Sequence, residues 1–219
     1  MMQEFSNKAS MIEQLERDVL REIQSFAENN EKVHVLLSGG STPIPLYKKL
    51  GETIEDPNKV LLGLIDERFV PLSSEFSNER MIRECFNLQN ERFEVIGMVQ
   101  NAENADANLE LVTTAYQPFM TKTHVGILGM GEDGHYASLF PNDSASEQAV
   151  ESKIYNTNAP AHPTQRVTCG LEMICAVESL YLIITGQRKK EVFVDLERNL
   201  PIHQLMEKRK DIKIYFSEL

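Results

Sequence analysis

The sequence predicts an α/β fold with a predominantly parallel sheet and helices on both faces. Short apolar, β-favouring runs alternate with amphipathic helical segments along the chain. The runs are apolar throughout rather than at every second position, which is typical of strands buried on both faces. Several of them end in glycines or charged residues. These observations together indicate a Rossmann-like three-layer αβα sandwich.

The N-terminal half supplies the first alternations. Met11, Leu15 and Val19 recur at helical spacing and predict an amphipathic helix over residues 7–28. The run VHVLL stops at two glycines and predicts a strand over residues 33–37. By the same criteria we expect further helices at 43–50 and 78–85 and further strands at 60–65 and 95–96.

The C-terminal half repeats the pattern. A helix is predicted over 103–121, a buried strand over 124–128, and an amphipathic segment over 188–197 between strands at 180–185 and 212–216. In such sheets ligands bind at the carboxyl ends of strands. Chemistry is therefore expected in the loops that follow Leu37, Ile65, Leu128 and Thr185.

The composition is that of a globular protein. Hydrophobic residues make up 42% of the chain and charged residues 25%, which excludes a collagen or a disulfide miniprotein. The net charge of −11 makes a surface that repels phosphate backbones and anionic lipids. We therefore expect neither a nucleic-acid partner nor a membrane partner.

Length and cysteine usage indicate one domain over residues 1–219 in a reducing compartment. A chain of 219 residues fits a single hydrophobic core. Cys85, Cys169 and Cys175 are odd in number and lack C-x-x-C spacing, which argues against a disulfide framework or a zinc site. Because no signal sequence or long apolar segment is apparent, we expect a cytoplasmic protein.

The first loop, SGGSTP at residues 38–43, joins a strand to a helix. Its glycines permit close backbone approach, Thr42 suits a helix N-cap, and Pro43 suits the first helical position. Amide groups and hydroxyls at a helix N-terminus bind anions. The Walker sequence is absent, so a sugar phosphate or other small phosphate is favoured over a nucleoside triphosphate. An ordinary capped turn would have the same sequence.

The second loop begins with Asp66, Glu67 and Arg68, directly after a very apolar strand. A solvated charged turn would look the same. Its position at the carboxyl end of a strand favours a functional role.

The third loop, GMGEDGHYASLFP at residues 129–141, follows a strand and contains the G-x-G-x-x-G spacing of dinucleotide sites. We reject that interpretation because the loop lies mid-chain, Pro141 interrupts the expected helix, and no second strand ends in the expected acidic residue. The loop instead presents Asp133 and His135. A histidine can accept a proton from water near neutral pH, and a neighbouring carboxylate can orient it. A purely structural histidine is the alternative.

Two cations fit a phosphate. Arg166 follows a proline-containing loop and Lys189 follows the end of a predicted strand. A guanidinium offers paired donors and an ammonium a point charge, although solvated surface cations would look alike. The five histidines show no metal-binding spacing, so no metal and no cofactor are expected.

With these motifs the sequence resembles the 6-phosphogluconolactonase family. The matching pieces keep their order over nearly the whole chain: Ser38–Pro43 with Leu46 and Tyr47, Asp66–Arg68 with Val70 and Pro71, Ser77 and Asn78 with Met81, Gly129–Pro141, Pro163 with Arg166 and Thr168, and Gly186 with Lys189. The sequences GMGEDGH and ASLFP within the third loop are specific. The first loop and the Gly186–Lys189 pair are shared more widely in the superfamily.

The resemblance implies hydrolysis of a small sugar-phosphate lactone, 6-phospho-D-glucono-1,5-lactone, to 6-phosphogluconate without a cofactor. It implies His135 as general base and then general acid, Asp133 as the group that orients it, and Arg68 as the group that stabilises charge on the carbonyl oxygen. The implied substrate-binding residues are Gly40, Ser41, Thr42, Arg166 and Lys189 at the phosphate, with Asp66 and Asn78 at the substrate hydroxyls or behind them.

Two alternatives remain open. Glucosamine-6-phosphate deaminases share the Asp-Gly-His turn, but they carry tyrosine at the position of Arg68 and glutamate at that of Phe140. A sugar-phosphate-binding regulator without catalysis would bind and release its ligand unchanged. The chain shows no helix pair or basic arm for reading DNA.

Overall fold

The structure, a computed structural model, describes residues 2–86, 92–143 and 153–218. Its strands are β1 (Met2–Phe5), β2 (Val33–Leu37), β3 (Val60–Leu64), β4 (Asp66–Arg68), β5 (Glu94–Ile96), β6 (Val125–Gly129), β7 (Ile154–Asn158), β8 (Gln165–Cys169), β9 (Ser179–Thr185) and β10 (Lys213–Ser217). Its α-helices are α1 (Lys8–Asn29), α2 (Ile44–Thr53), α3 (Asn78–Phe86), α4 (Ala105–Ala115), α5 (Gln117–Thr121), α6 (Leu171–Cys175), α7 (Gln187–Val194) and α8 (Pro201–Lys208).

A parallel sheet in the order β1-β10-β9-β6-β2-β3-β5 forms the centre of the fold. All five residues of β3 are buried, so both faces of the sheet are covered there. The predicted α/β class with flanking helices is therefore confirmed.

The strand order places a crevice between β2 and β6. These strands are neighbours, but the chain leaves β2 toward β3 and β5 on one side and leaves β6 toward β9 and β10 on the other. Loops that depart in opposite directions from adjacent parallel strands leave a gap at the carboxyl edge, and ligands bind in that gap. The first and third loops of the sequence start there.

A second, antiparallel sheet of β4, β8 and β7 was not predicted. The segment that starts at Asp66 was expected to be a loop, but Asp66–Arg68 is strand β4 and pairs with β8. Backbone pairing with a strand about a hundred residues away stabilises this charged triplet as a strand. The pairing sets Arg68 opposite Arg166 and Asp66 opposite Thr168.

Two helix predictions also need correction. Helix α2 starts at Ile44, with Pro43 as its N-cap and no side-chain cap, so Thr42 is not the N-cap. The predicted helix over 103–121 is two helices, α4 and α5, separated at Tyr116. Pro118 lacks an N–H to continue the ladder, and the buried Tyr116 hydroxyl accepts a hydrogen bond from Leu64 N (2.8 Å). No helix within the described ranges is long and apolar enough to cross a membrane.

Two histidines meet at the amino ends of β2 and β6: the half-buried His34 in β2 and the buried His124 directly before β6. His124 is 1% exposed, and its Nδ1 accepts a hydrogen bond from the His34 amide (2.9 Å). Burial, reinforced by the Lys122 and His34 charges, lowers the pKa of His124 to about 4. The folded protein therefore holds this ring in its neutral form.

We expect acid to destabilise the fold through His124. Its folded pKa lies below the unfolded value, so its contribution is complete above about pH 6.5 and is lost as the pH falls toward 4. Between pH 7 and pH 5 the wild-type Tm should fall by about 4 °C more than that of His124→Asn, whose amide oxygen can still accept the His34 N–H. The exposed His162→Gln serves as control. Equal pH dependence in wild type and His124→Asn would contradict this account.

Candidate active site

A cleft of about 310 Å³ lies over the β2–β6 crevice. It is lined by eight of the residues that the sequence singled out: Gly40, Ser41, Thr42, Asp66, Arg68, Asn78, His135 and Lys189. An adjoining cavity of about 410 Å³ shares Asp66, Arg68 and His135 with the cleft, and Asp133 and Arg166 line it. All ten predicted site residues therefore lie around two cavities that share part of their lining at the carboxyl edge of the sheet.

The third loop holds an imidazole–carboxylate pair. His135 Nδ1 lies 2.5 Å from Asp133 Oδ1, and the His135 amide donates to the same oxygen (3.3 Å). The hydrogen bond from His135 holds the pKa of Asp133 below its usual value, against a smaller effect of burial. Because Nδ1 is occupied by the carboxylate, Nε2 is the nitrogen that can exchange a proton with a ligand.

The backbone at Gly131 and the Phe140 ring lie close to His135 and limit where its imidazole can lie. A Cβ placed on Gly131 would lie 2.2 Å from the His135 ring, so glycine at that position allows the ring to lie where it does. The Gly131 amide donates to the His135 carbonyl (2.8 Å), which closes the turn. The Phe140 ring packs against the imidazole with centroids 4.8 Å apart. The ring is thereby held in one place while its side chain stays 33% exposed.

Strand β4 and the start of α3 form a second wall of the cleft. Asp66 Oδ2 accepts a hydrogen bond from Ser138 Oγ (2.6 Å), and its carbonyl accepts one from Asn78 Nδ2 (2.9 Å). Arg68 extends toward the cleft, and its Nη1 donates to the Phe76 carbonyl (2.7 Å). This wall thus presents a carboxylate, an amide and a guanidinium to the cleft that His135 also lines.

The first loop forms the floor of the cleft. Gly40 adopts a φ of +93°, a backbone conformation that L side chains rarely adopt. Within the described ranges, no protein acceptor is found for the amide N–H groups of Gly40, Ser41 and Thr42. These groups, with the two hydroxyls, form an anion-binding surface beside the first turn of α2.

The two predicted phosphate cations occupy different cavities. Lys189, in the first turn of α7, lines the cleft next to the first loop, and burial lowers its pKa. Arg166 is 9% exposed and lines the adjoining cavity with Arg68. Burial, with a smaller contribution from Arg68, lowers the pKa of Arg166. Its Nε and Nη1 have no hydrogen-bond partner among the described residues, which leaves them free for an anion.

Comparison with known proteins assigns this chain to a family. A profile of the family described as glucosamine-6-phosphate isomerases/6-phosphogluconolactonase matches residues 6–213. This chain belongs to that family. The match spans β2, β4, the third loop and α7, so the family sequence pattern includes both cavities.

Individual relatives with similar sequences or structures carry the name 6-phosphogluconolactonase. A Helicobacter pylori (strain J99) protein named 6-phosphogluconolactonase is 33% identical over 190 residues, which cover 84% of this chain and 82% of the relative. One from Rhizobium meliloti (strain 1021) is 28% identical, with 97% of each chain covered. The crystal structure of a 6-phosphogluconolactonase from Shewanella baltica superposes with a TM-score of 0.91 at 28% identity, covering 99% of this chain and 97% of that chain.

Several residues around the two cavities stood inside the predicted loops but were given no role of their own by the sequence reasoning. Ser138 holds Asp66, Ala137 lines both cavities, and Ser38 lines the cleft floor. Glu67 lies buried behind the β4 wall. Ala137 and Ser138 lie two and three positions after His135, so their place in the glycine-rich loop was a usable signal. The burial of Glu67 had no such signal, because a charged triplet after a strand is typical of a solvated turn.

Proposed function

We propose that this chain hydrolyses 6-phospho-D-glucono-1,5-lactone to 6-phosphogluconate, the lactone-opening step of the oxidative pentose phosphate pathway. The observation that carries the proposal is the His135–Asp133 pair, which shares its cavities with a guanidinium on one side and an anion-binding loop on the other. The relatives named above support the choice of substrate.

In the proposed reaction His135 acts first as base and then as acid. Its Nε2 takes a proton from a water molecule, and the water oxygen attacks C1 of the lactone. The C1–ring oxygen bond then breaks, and the imidazolium returns the proton to the ring oxygen. Asp133 keeps the ring in the required orientation and stabilises its charged form. Arg68 stabilises the negative charge on the carbonyl oxygen in the tetrahedral intermediate.

At the other end of the substrate, we assign the phosphate to Gly40, Ser41, Thr42 and Lys189, with Arg166 reaching it from the adjoining cavity. Free amides, hydroxyls and two cations suit a dianion. Asp66 and Asn78 are assigned to substrate hydroxyls. Holding the phosphate fixes C1 against the attacking water, which converts remote binding energy into rate.

A paired assay tests the proposal against the deaminase alternative. Freshly generated phosphogluconolactone is supplied in a dehydrogenase-coupled assay, and glucosamine 6-phosphate is supplied in an ammonia-release assay. We expect turnover above spontaneous hydrolysis in the first and no ammonia in the second. Ammonia release without lactone turnover would establish a deaminase, and binding of either compound without turnover would establish a regulator.

Activity is expected to be independent of metal. Within residues 2–86, 92–143 and 153–218, no group of three or more His, Cys, Asp or Glu side chains is arranged to hold a metal ion. The proposed steps use only protein groups and water, so exhaustive treatment with chelator should leave kcat and KM unchanged. Loss of activity that added zinc restores would contradict this prediction.

Three further expectations from the sequence stay predictions: that residues 1–219 form a single domain, that the protein is cytoplasmic, and that it binds no nucleic acid.

A further inference from the structure

Glu67 is a buried carboxylate directly behind the cleft, and the proposed mechanism gives it no task. It is 1% exposed and lies between Asp66 and Arg68 in β4. Successive side chains of a strand point to opposite faces. Its two neighbours line the cleft, and the Glu67 side chain therefore points away from it.

The Glu67 carboxylate accepts four hydrogen bonds. Oε1 accepts from the amides of Arg68 (2.7 Å) and Asn78 (2.8 Å). Oε2 accepts from Ser77 Oγ (3.0 Å) and the Glu79 amide (2.8 Å). One side chain thus fastens β4 to the start of α3, across the loop that follows the strand.

Capping of α3 alone does not account for a buried carboxylate here. Ser77 Oγ accepts a hydrogen bond from the Arg80 amide (3.1 Å), so the helix already has a serine cap. Burying a carboxylate is costly: burial raises the pKa of Glu67 to about 7 despite the four donors. The cost indicates that the exact placement of these segments matters.

The bonded segments converge on one catalytic group. Glu67 holds the backbone of Arg68 directly. The guanidinium of Arg68 is held by the Phe76 carbonyl, and Phe76 precedes the Ser77–Glu79 turn that Glu67 also fixes. Both ends of the Arg68 side chain are therefore tied to the same carboxylate.

We propose that Glu67 is a positioning residue for lactone hydrolysis, which sets the place of the Arg68 guanidinium in the cavities that His135 also lines. This inference rests on the proposed function. It predicts that replacing Glu67 lowers the rate of lactone opening and has little effect on binding of the phosphate.

The test is a double-mutant cycle of Glu67→Gln with Arg68→Ala. A glutamine amide turns an NH2 group toward two of the four donors. The hydrogen bonds that join β4 to α3 are therefore weakened, while the size and shape of the side chain are kept. We expect kcat to fall about 10-fold with KM changed less than about 3-fold, equally on phosphogluconolactone and on unphosphorylated glucono-1,5-lactone. In the Arg68→Ala background the same change should cost less than about 3-fold, because the group being positioned is gone.

Glu79→Gln is the matched control. Glu79 is also buried and lies in α3, but its carboxylate binds Arg83 Nε (2.7 Å) and does not line the cleft. Its kcat should stay near the wild-type value. Where Arg68→Ala is too slow to measure, Arg68→Lys takes its place. If Glu67→Gln does not fold, Glu67→Asp replaces it in the cycle. We expect a smaller loss of kcat from Glu67→Asp, and that loss should again be reduced in the Arg68→Ala background.

The proposal is overturned if Glu67→Gln keeps the wild-type kcat, or if its loss is the same with and without the Arg68 side chain. The latter result would assign Glu67 to fold stability alone. An active wild type with either result removes only this proposal, whereas a wild type inactive on the lactone removes the proposed function as well.

Discussion

Replacing His135 with alanine is expected to lower kcat for phosphogluconolactone by at least about 100-fold. The proposed mechanism assigns both proton transfers to this imidazole. Its ring is held by Asp133 at 2.5 Å and by packing against Phe140, and the free Nε2 is available to the substrate. Initial rates in the dehydrogenase-coupled assay, corrected for spontaneous hydrolysis, give the measurement.

Product inhibition separates chemistry from binding in this variant. Because His135 is not assigned to the phosphate, inhibition by 6-phosphogluconate should change little in His135→Ala. His34→Gln provides a histidine control, because His34 lies at the amino end of β2, away from the cleft. Its kcat should stay near the wild-type value. A near-normal kcat in His135→Ala would remove this residue from the mechanism.

The second large effect concerns substrate binding. Changing either Arg166 or Lys189 to alanine should raise KM by roughly 10-fold or more, because a charge-assisted hydrogen bond of about 1.5–3 kcal/mol is lost. Some fall in kcat is also expected, since phosphate binding positions C1 against the water.

Unphosphorylated glucono-1,5-lactone is the decisive comparison substrate. It has no phosphate for these cations to bind, so the wild type should hydrolyse it poorly. The kinetic constants of both variants should differ from those of the wild type far less on this substrate than on phosphogluconolactone. Arg188→Ala is a matched cation control, because Arg188 is adjacent in sequence but pairs with Glu132 at the surface. Equal losses on both lactones would mean that Arg166 and Lys189 support the fold or the chemistry instead.

Six of the seven strands of the parallel sheet were predicted, most of them as continuous apolar runs; β1, whose residues MQEF are exposed or half-buried, was not. VHVLL became β2 over the predicted residues, and the ends of the other predicted strands shifted by at most one position. The antiparallel sheet was not predictable in the same way. Asp66–Arg68 and Gln165–Cys169 contain charged and polar residues, and they become strands because β8 pairs with both β4 and β7.

The site shows the same division. Glycine-permitted loops at the ends of apolar strands marked the region where the structure forms the two cavities, because parallel strands bring their carboxyl ends to one edge. The placement of Arg166 in the adjoining cavity and the burial of Glu67 depend on how β4 pairs with β8 and packs against α3. Such long-range contacts leave no periodic trace in the sequence.

Phosphorus NMR of the wild-type protein with freshly generated 6-phospho-D-glucono-1,5-lactone tests the central claim most directly, because it follows lactone and acid without a coupling enzyme. We expect the lactone signal to be replaced by that of 6-phosphogluconate far faster than in buffer, and at close to the buffer rate with His135→Ala. A wild-type time course that matches the spontaneous one would contradict the account.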